Sequence, residues 1–281
     1  MKVFFSDLAK TVWLLTAFTT LALQSAVSAE EPADDLISHC PDTKRHSATA
    51  QSVSEDADII LEDGRRLKLA NIFLPRANAN APLPAKTIRF LRHTLSKKPI
   101  QFIPAAKADR YKRIPAHIIT THETGTQHWL QPALIKNRLG VFMPEPFKEK
   151  HNAYCDNDRL KQVLRRVDQR VMLDQNQSPP INVYQANNDA LWQMEGDFAL
   201  VEGVVLRTHI SDKTIFLNFG ADWKSDFTAL IAIKNKGSLQ EHFKSISNLE
   251  GKRLRLRGYL DLFNGPSMRI DHPLQMELLG E

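Results

Sequence analysis

Residues 59–72 read Ile59-Ile60-Leu61-Glu62-Asp63-Gly64-Arg65-Arg66-Leu67-Lys68-Leu69-Ala70-Asn71-Ile72. An apolar run, then the alternating Leu67 and Leu69, flank Glu62-Asp63-Gly64-Arg65, which has the composition of a tight turn. The stretch predicts a β-hairpin. Working outward, Pro82 and Pro84 precede residues 85–96, where Ile88, Leu91 and Leu95 recur at helical spacing while Lys86, Arg89 and Arg92 take the other face. A basic helix follows the hairpin. Residues 100–103 and 114–120 read as two further strands around a charged segment, 107–113. Residues 127–139 and 158–172 read as two more helices, the second with Leu160, Val163, Leu164, Val167 and Val171 in one stripe.

Asn, Gln and two prolines between residues 174 and 180 mark a linker. Beyond it the period shortens again. Strands are expected at 198–209, 214–219 and 227–233, then a short helix at 239–246, then strands at 253–260 and 268–279. Three strands, a helix and two strands is the order of a five-stranded oligonucleotide/oligosaccharide-binding (OB) barrel. The expected class is α+β, mainly β, with two small OB-type barrels. Three helices pack on the first and one short helix belongs to the second.

The chain has 281 residues and a net charge of +5. Lys2 and Lys10 border a short apolar run that ends in Val27-Ser28-Ala29, the pattern of a secretory signal peptide cut after Ala29, with an uncleaved anchor as the alternative. The mature chain would keep 35 basic and 31 acidic side chains, a net +4, and no stable membrane insertion. Periplasm or secretion is the expected destination. In such a compartment Cys40 and Cys155 form one disulfide, or with His39 and His151 a zinc site, the first favoured by the lack of a close cysteine pair. Expected boundaries are a signal at 1–29, an irregular lead at 30–55, a first domain at 56–173, a linker at 174–196 and a second domain at 197–281.

Charge is distributed unevenly. Residues 64–108 contain ten Lys or Arg and no Asp or Glu. Such a stretch can neutralise a phosphate backbone or show a solvated helix face. Arg253, Arg255 and Arg257 alternate with Leu254 and Leu256, so one face of that strand is basic; it reads either as a surface that tracks a single nucleic-acid strand, with Tyr259 or Phe263 nearby for stacking, or as an outward solvated face. His117, His122 and His128 read as surface residues, and Trp192, Trp223, Phe216 and Phe219 as barrel core and corners.

The hairpin, followed by Pro75, and the segment Asp109-Arg110-Tyr111-Lys112-Arg113 together resemble the thermonuclease (staphylococcal-nuclease-like) family. They mirror its EDGRRVRLAGIDAPE stretch and its DKYGR loop. Phe216-Leu217-Asn218-Phe219-Gly220, Trp223, Asp226-Phe227-Thr228, Gly251-Lys252-Arg253, Gly258-Tyr259 and His272-Pro273 are similar to a module downstream of exported bacterial members.

The resemblance implies a phosphodiesterase with one Ca²⁺ on two aspartates, a glutamate as general base and two arginines on the phosphate. Here Phe73 fills the second aspartate position and Arg76 the glutamate position. The first aspartate is Asp58 or, in the ungapped register, Ala57. Lys68 replaces the first arginine and Arg113 keeps the second. Candidate phosphate contacts are therefore Lys68, Arg76, Arg110 and Arg113, and the candidate metal ligand is Asp58. No cofactor is expected, Ca²⁺ entering only in an active form. The leading expectation is an exported, catalytically inactive relative that binds nucleic acid or another polyanion. The alternatives are a phosphodiesterase using Asp58 with Glu55 or Asp109, and an envelope interaction or scaffold protein. The sequence leaves the oligomeric state open.

Overall fold

Ile59, Leu61, Leu67 and Leu69 all turn inward, so the alternation around the turn builds a barrel wall. The computed structural model describes residues 45–122, 124–145 and 157–280. The expected signal peptide (1–29), the Cys40–Cys155 bridge and the His39 and His151 alternative lie outside them. The first lobe runs β1 (His46–Val53), β2 (Ile59–Leu61), β3 (Arg66–Leu69), β4 (Ile72–Phe73), α1 (Ala85–Leu95), β5 (Lys98–Pro104), β6 (Arg113–Thr121), β7 (Gln127–Trp129), α2 (Leu130–Lys136), β8 (Val141–Phe142) and α3 (Asn157–Leu173).

β2 lies antiparallel to β1 and β3, β1 to β5 and β5 to β6, and β3 runs parallel to β6. The order β3-β2-β1-β5-β6 therefore returns to its start as a closed five-stranded barrel of the OB type. Closure leaves few edge groups unpaired. Gly64, at φ 82°, takes the left-handed turn position between β2 and β3, and Leu61 accepts from its N–H at 3.0 Å. Helix α1 buries Ile88, Leu91 and Leu95 against the barrel, and α3 buries Leu160, Val163, Leu164 and Val167 in the same core.

Two expectations in this lobe are corrected. The irregular lead does not reach residue 55, because β1 pairs with both β2 and β5. Ala48, Ala50 and Val53 form its inward face, small enough to admit α1, while Ser, Thr and Gln between them hide the period from a hydrophobicity reading. Residues 127–139 are not one helix. Gln127–Trp129 instead pair with β6 before α2 begins, and Pro132 sits in the first turn of α2, where its missing N–H costs nothing.

The remaining elements are β9 (Val183–Gln185), β10 (Phe198–Val204), β11 (Arg207–Ile210), β12 (Thr214–Asn218), β13 (Thr228–Ala232), α4 (Lys236–Phe243), β14 (Arg253–Leu262), β15 (Pro266–Ile270) and β16 (Met276–Leu278). They form an eight-stranded sheet ordered β11-β12-β13-β15-β14-β10-β9, with β16 on β14. β13 and β15 are parallel, as β3 and β6 are, and β10 continues through Val205 and Leu206 into β11. Residues 174–196, expected to be a linker, contain β9, which runs parallel to β10 and brings Ile181 and Val183 against Phe198 and Leu200. The described residues belong to one compact unit. Among them no helix is long and apolar enough to cross a membrane.

Candidate functional site

Between the lobes lies a cleft of about 1220 Å³. From the first lobe come Asp56, Asp58, Lys68, the stretch from Ile72 to Ala79, Arg110, Tyr111, Arg113 and Glu145; from the second come Asn182, Tyr184, Asp197, Phe198 and Tyr259. The four candidate phosphate contacts, Lys68, Arg76, Arg110 and Arg113, all line it. Arg253, Arg255 and Arg257 do not.

The cations are held by carboxylates from outside the acid-free stretch. Lys68 Nζ donates to Glu145 Oε1 at 2.8 Å, Arg66 pairs with Asp58, Arg76 lies 3.3 Å from Asp56, Arg92 lies 2.6 Å from Glu55 and Arg65 lies 2.6 Å from Asp63. Half of the ten positive charges are thereby compensated. Lys86, Arg89 and Lys97 have no ion pair among the described residues. With His93 they mark one line along the exposed face of α1 and the turn after it.

Arg113 is fixed by the loop that presents it. Its Nε and Nη2 donate to Asp109 Oδ2 at 2.9 and 2.8 Å, and Nη1 lies 3.5 Å from Asp58 Oδ1. Burial opposes its charge, but the Asp109 hydrogen bond and the Asp58 charge outweigh it and raise its pKa above the ordinary arginine value. Asp109 also accepts from the backbone N–H of Tyr111 and Arg113, and burial notwithstanding, these bonds hold its carboxyl below the usual range. Tyr111 is 54% exposed, with Arg110 and Arg113 over its ring at 4.7 and 5.1 Å.

The arrangement does not fit Ca²⁺. A hard cation takes six to eight oxygen ligands, and Asp58, the candidate metal ligand, is buried with its carboxylate engaged by Arg66 and Arg113. Phe73, at the position where the resemblance expects a second carboxylate, stacks on Phe198 with centroids 4.0 Å apart. Among the described residues no group of three or more His, Cys, Asp or Glu is placed to hold a metal. Glu55 and Asp109, named for an altered active site, are committed to Arg92 and Arg113.

The reading of Arg253, Arg255 and Arg257 as a nucleic-acid surface is corrected for the last two. Arg257 is 1% exposed; it donates to Asp168 Oδ2 of α3 at 2.7 Å and to the Phe142 carbonyl at 2.8 Å. Arg255 is buried between Glu202, at 2.7 Å, and Glu277, at 3.5 Å, while Gln169 of α3 donates to Glu277. The basic face is packed against the first lobe, and its charges are matched there. Arg253 remains part-exposed, 3.0 Å from Glu202. His117, expected at the surface, is 1% exposed beside Trp129, and burial, then the Lys161 charge, depress its pKa to about 3. Trp192 and Trp223, expected in the core and corners, are exposed.

Two cleft residues, Glu145 and Asp197, escaped the sequence reading. Glu145 comes from an irregular segment after β8 that carries no period, and its backbone N–H donates to Asn71 Oδ1 at 3.1 Å. Asp197 accepts from the Ala79 N–H across the lobes at 2.5 Å. Tyr259, which the sequence places beside the Arg253, Arg255, Arg257 face as a stacking residue, lines the cleft instead. Its ring meets Phe73 and Phe198 edge-on, at 6.1 and 5.7 Å, and burial and the Glu145 charge raise its pKa, Arg76 opposing them.

No protein-family model and no curated protein match the chain. Among solved structures, the S. pombe Stn1-Ten1 complex is similar at 14% identity over 30% of this chain and 59% of that chain, with a TM-score of 0.24. Entamoeba histolytica asparaginyl-tRNA synthetase in complex with asparaginyl-adenylate is similar at 16% identity over 36% of this chain and 24% of that chain, with a TM-score of 0.26. The chain spans less than two thirds of either, and at these scores neither likeness bears on function.

Proposed function

We propose that the chain is an exported thermonuclease-like protein with two OB-type barrels that has lost hydrolysis and works by binding nucleic acid or another polyanion. The observation that carries this reading is the Phe73–Phe198 stack at 4.0 Å. It supports the reading because an inter-lobe apolar contact occupies the position the resemblance gives to a metal carboxylate, while the Asp58 carboxylate is engaged by Arg66 and Arg113. Binding is supported by the uncompensated cations of α1 and by Arg110 and Tyr111 at the cleft.

Fluorescence anisotropy with labelled oligonucleotides tests this at several salt concentrations. The expected result is binding that weakens linearly in log–log form as salt rises, as phosphate contacts require. Absence of any salt-sensitive binding would remove the reading and favour an envelope interaction or scaffold protein.

Glu145 favours a second reading. It is a carboxylate in the cleft, 2.8 Å from Lys68, where a water-activating base would be useful. An altered phosphodiesterase of that kind would cleave labelled DNA or RNA and lose activity in Glu145→Gln.

A further inference from the structure

We infer that the second lobe supplies a base-stacking residue, Tyr259, to the cleft, so that the ligand is a nucleic-acid strand with unpaired bases and not a duplex. This rests on the binding reading above.

Along β14, Arg253, Arg255, Arg257 and Tyr259 share one face. The arginines are taken up by Glu202, Glu277 and Asp168. Tyr259 is where this face leaves the inter-lobe contact: it lines the cleft and is 52% exposed. Its ring stands nearly perpendicular to Phe73 and Phe198, at 85° and 77°. These two edge contacts brace one side of the ring while about half of the residue stays open to a ligand.

The charges select the ligand class. Lys68, Arg76 and Arg113 already face Glu145, Asp56 and Asp109, so a duplex with two phosphate rails would meet negative groups beside nearly every positive one. Arg110 is the cleft cation with no carboxylate partner among the described residues, its guanidinium lying on the Tyr111 ring. One uncommitted cation beside a half-exposed tyrosine, with a second tyrosine and paired donors and acceptors across the cleft, suits a single phosphate thread with splayed, flat, polar-edged bases. A duplex keeps those base faces stacked inside.

The test uses the mature protein, a fluorescein-labelled single-stranded oligo(dT) and a labelled duplex of equal length. Wild type is expected to bind the single strand at least about 10-fold more tightly, with Tyr259→Phe within about 2-fold of it and Tyr259→Leu weaker by roughly 5- to 100-fold for the single strand alone. Leucine keeps the apolar contact with Phe73 and Phe198. A readout on unaltered protein stands beside it: ultraviolet crosslinking of a 5-iodouracil-substituted strand, mapped by mass spectrometry, is expected to mark Tyr259. Tighter duplex binding, wild-type affinity in a folded Tyr259→Leu, or crosslinks confined to other residues would overturn the inference while leaving the binding reading intact. Failure of both probes to bind wild type would remove the binding reading itself.

Discussion

Phe73 joins the two lobes through its ring, stacked on Phe198. A carboxylate there would forfeit the stack on Phe198 and stand against the apolar rings of Phe198 and Tyr259, giving up part of its hydration. Phe73→Asp is therefore expected to lower stability by about 2–4 kcal/mol in urea unfolding, without creating Ca²⁺-dependent hydrolysis. His117 makes a second residue-scale prediction. Both ring nitrogens are buried without a hydrogen-bond partner, and its folded pKa is near 3, depressed by burial and by Lys161. The neighbouring system is similar: His272, 3.2 Å from Lys161, is held at about 4, chiefly by burial. In both cases the unfolded imidazole takes up a proton below about 6.5 while the folded one stays neutral. The stability due to the neutral, buried rings is fully present above about pH 6.5 and falls toward pH 4 by up to about 1.4 kcal/mol per pH unit for each histidine. Urea midpoints at pH 7.5, 5.5 and 4.5 check this. His117→Leu is expected to show a shallower decline than wild type, and an identical decline would refute the assignment.

Helix α1 carries the charge prediction at the level of elements. Its buried stripe fixes which way it faces, and Lys86, Arg89, His93 and the following Lys97 are left on the solvent side with no ion pair among the described residues. Lys86→Glu with Arg89→Glu is expected to weaken oligonucleotide binding and to reduce the salt slope for a single strand by about 1.4, roughly 0.7 for each phosphate that is no longer neutralised. An unchanged slope would place the phosphate-binding cations elsewhere. The hairpin, α1, α3 and β12, β13 and β14 were legible in the sequence because each pairs a clear period with turn or cap residues, whereas 198–209 and 268–279, each expected as one strand, are each divided in two. β1 was hidden by its small inward alanines, and β9 by lying in a polar, proline-containing stretch where only Ile181 and Val183 pack inward. The cleft was legible from one wall. Lys68, Arg76, Arg110 and Arg113 line one cleft, but alternation along β14 shows which side chains share a face, not what is packed against that face. Asp168, the partner of Arg257, sits in a helix whose polar positions look solvent-directed until the lobes meet.

At the scale of the molecule, the lobes are joined by an apolar cluster around Phe73, Phe198 and Leu200 and by the buried charges of Arg255, Arg257, Asp168 and Glu277. A buried, matched ion network adds less stability than its Coulomb attraction suggests, because both partners give up hydration; breaking one partner is what costs. Its effect here is to fix orientation, which places Tyr259 opposite Arg110 and Tyr111 and makes the cleft a feature of both lobes. The same packing takes up Phe73, at the position that the proposed thermonuclease likeness gives to a second metal ligand. Binding without hydrolysis is the central claim of the proposed function. The most direct test is a cleavage assay on labelled single-stranded DNA and RNA, with purified mature protein in millimolar Ca²⁺ and in chelator. Intact strands in both conditions, at protein concentrations that saturate binding, are the predicted result. Ca²⁺-dependent cleavage that Arg113→Ala abolishes would contradict it.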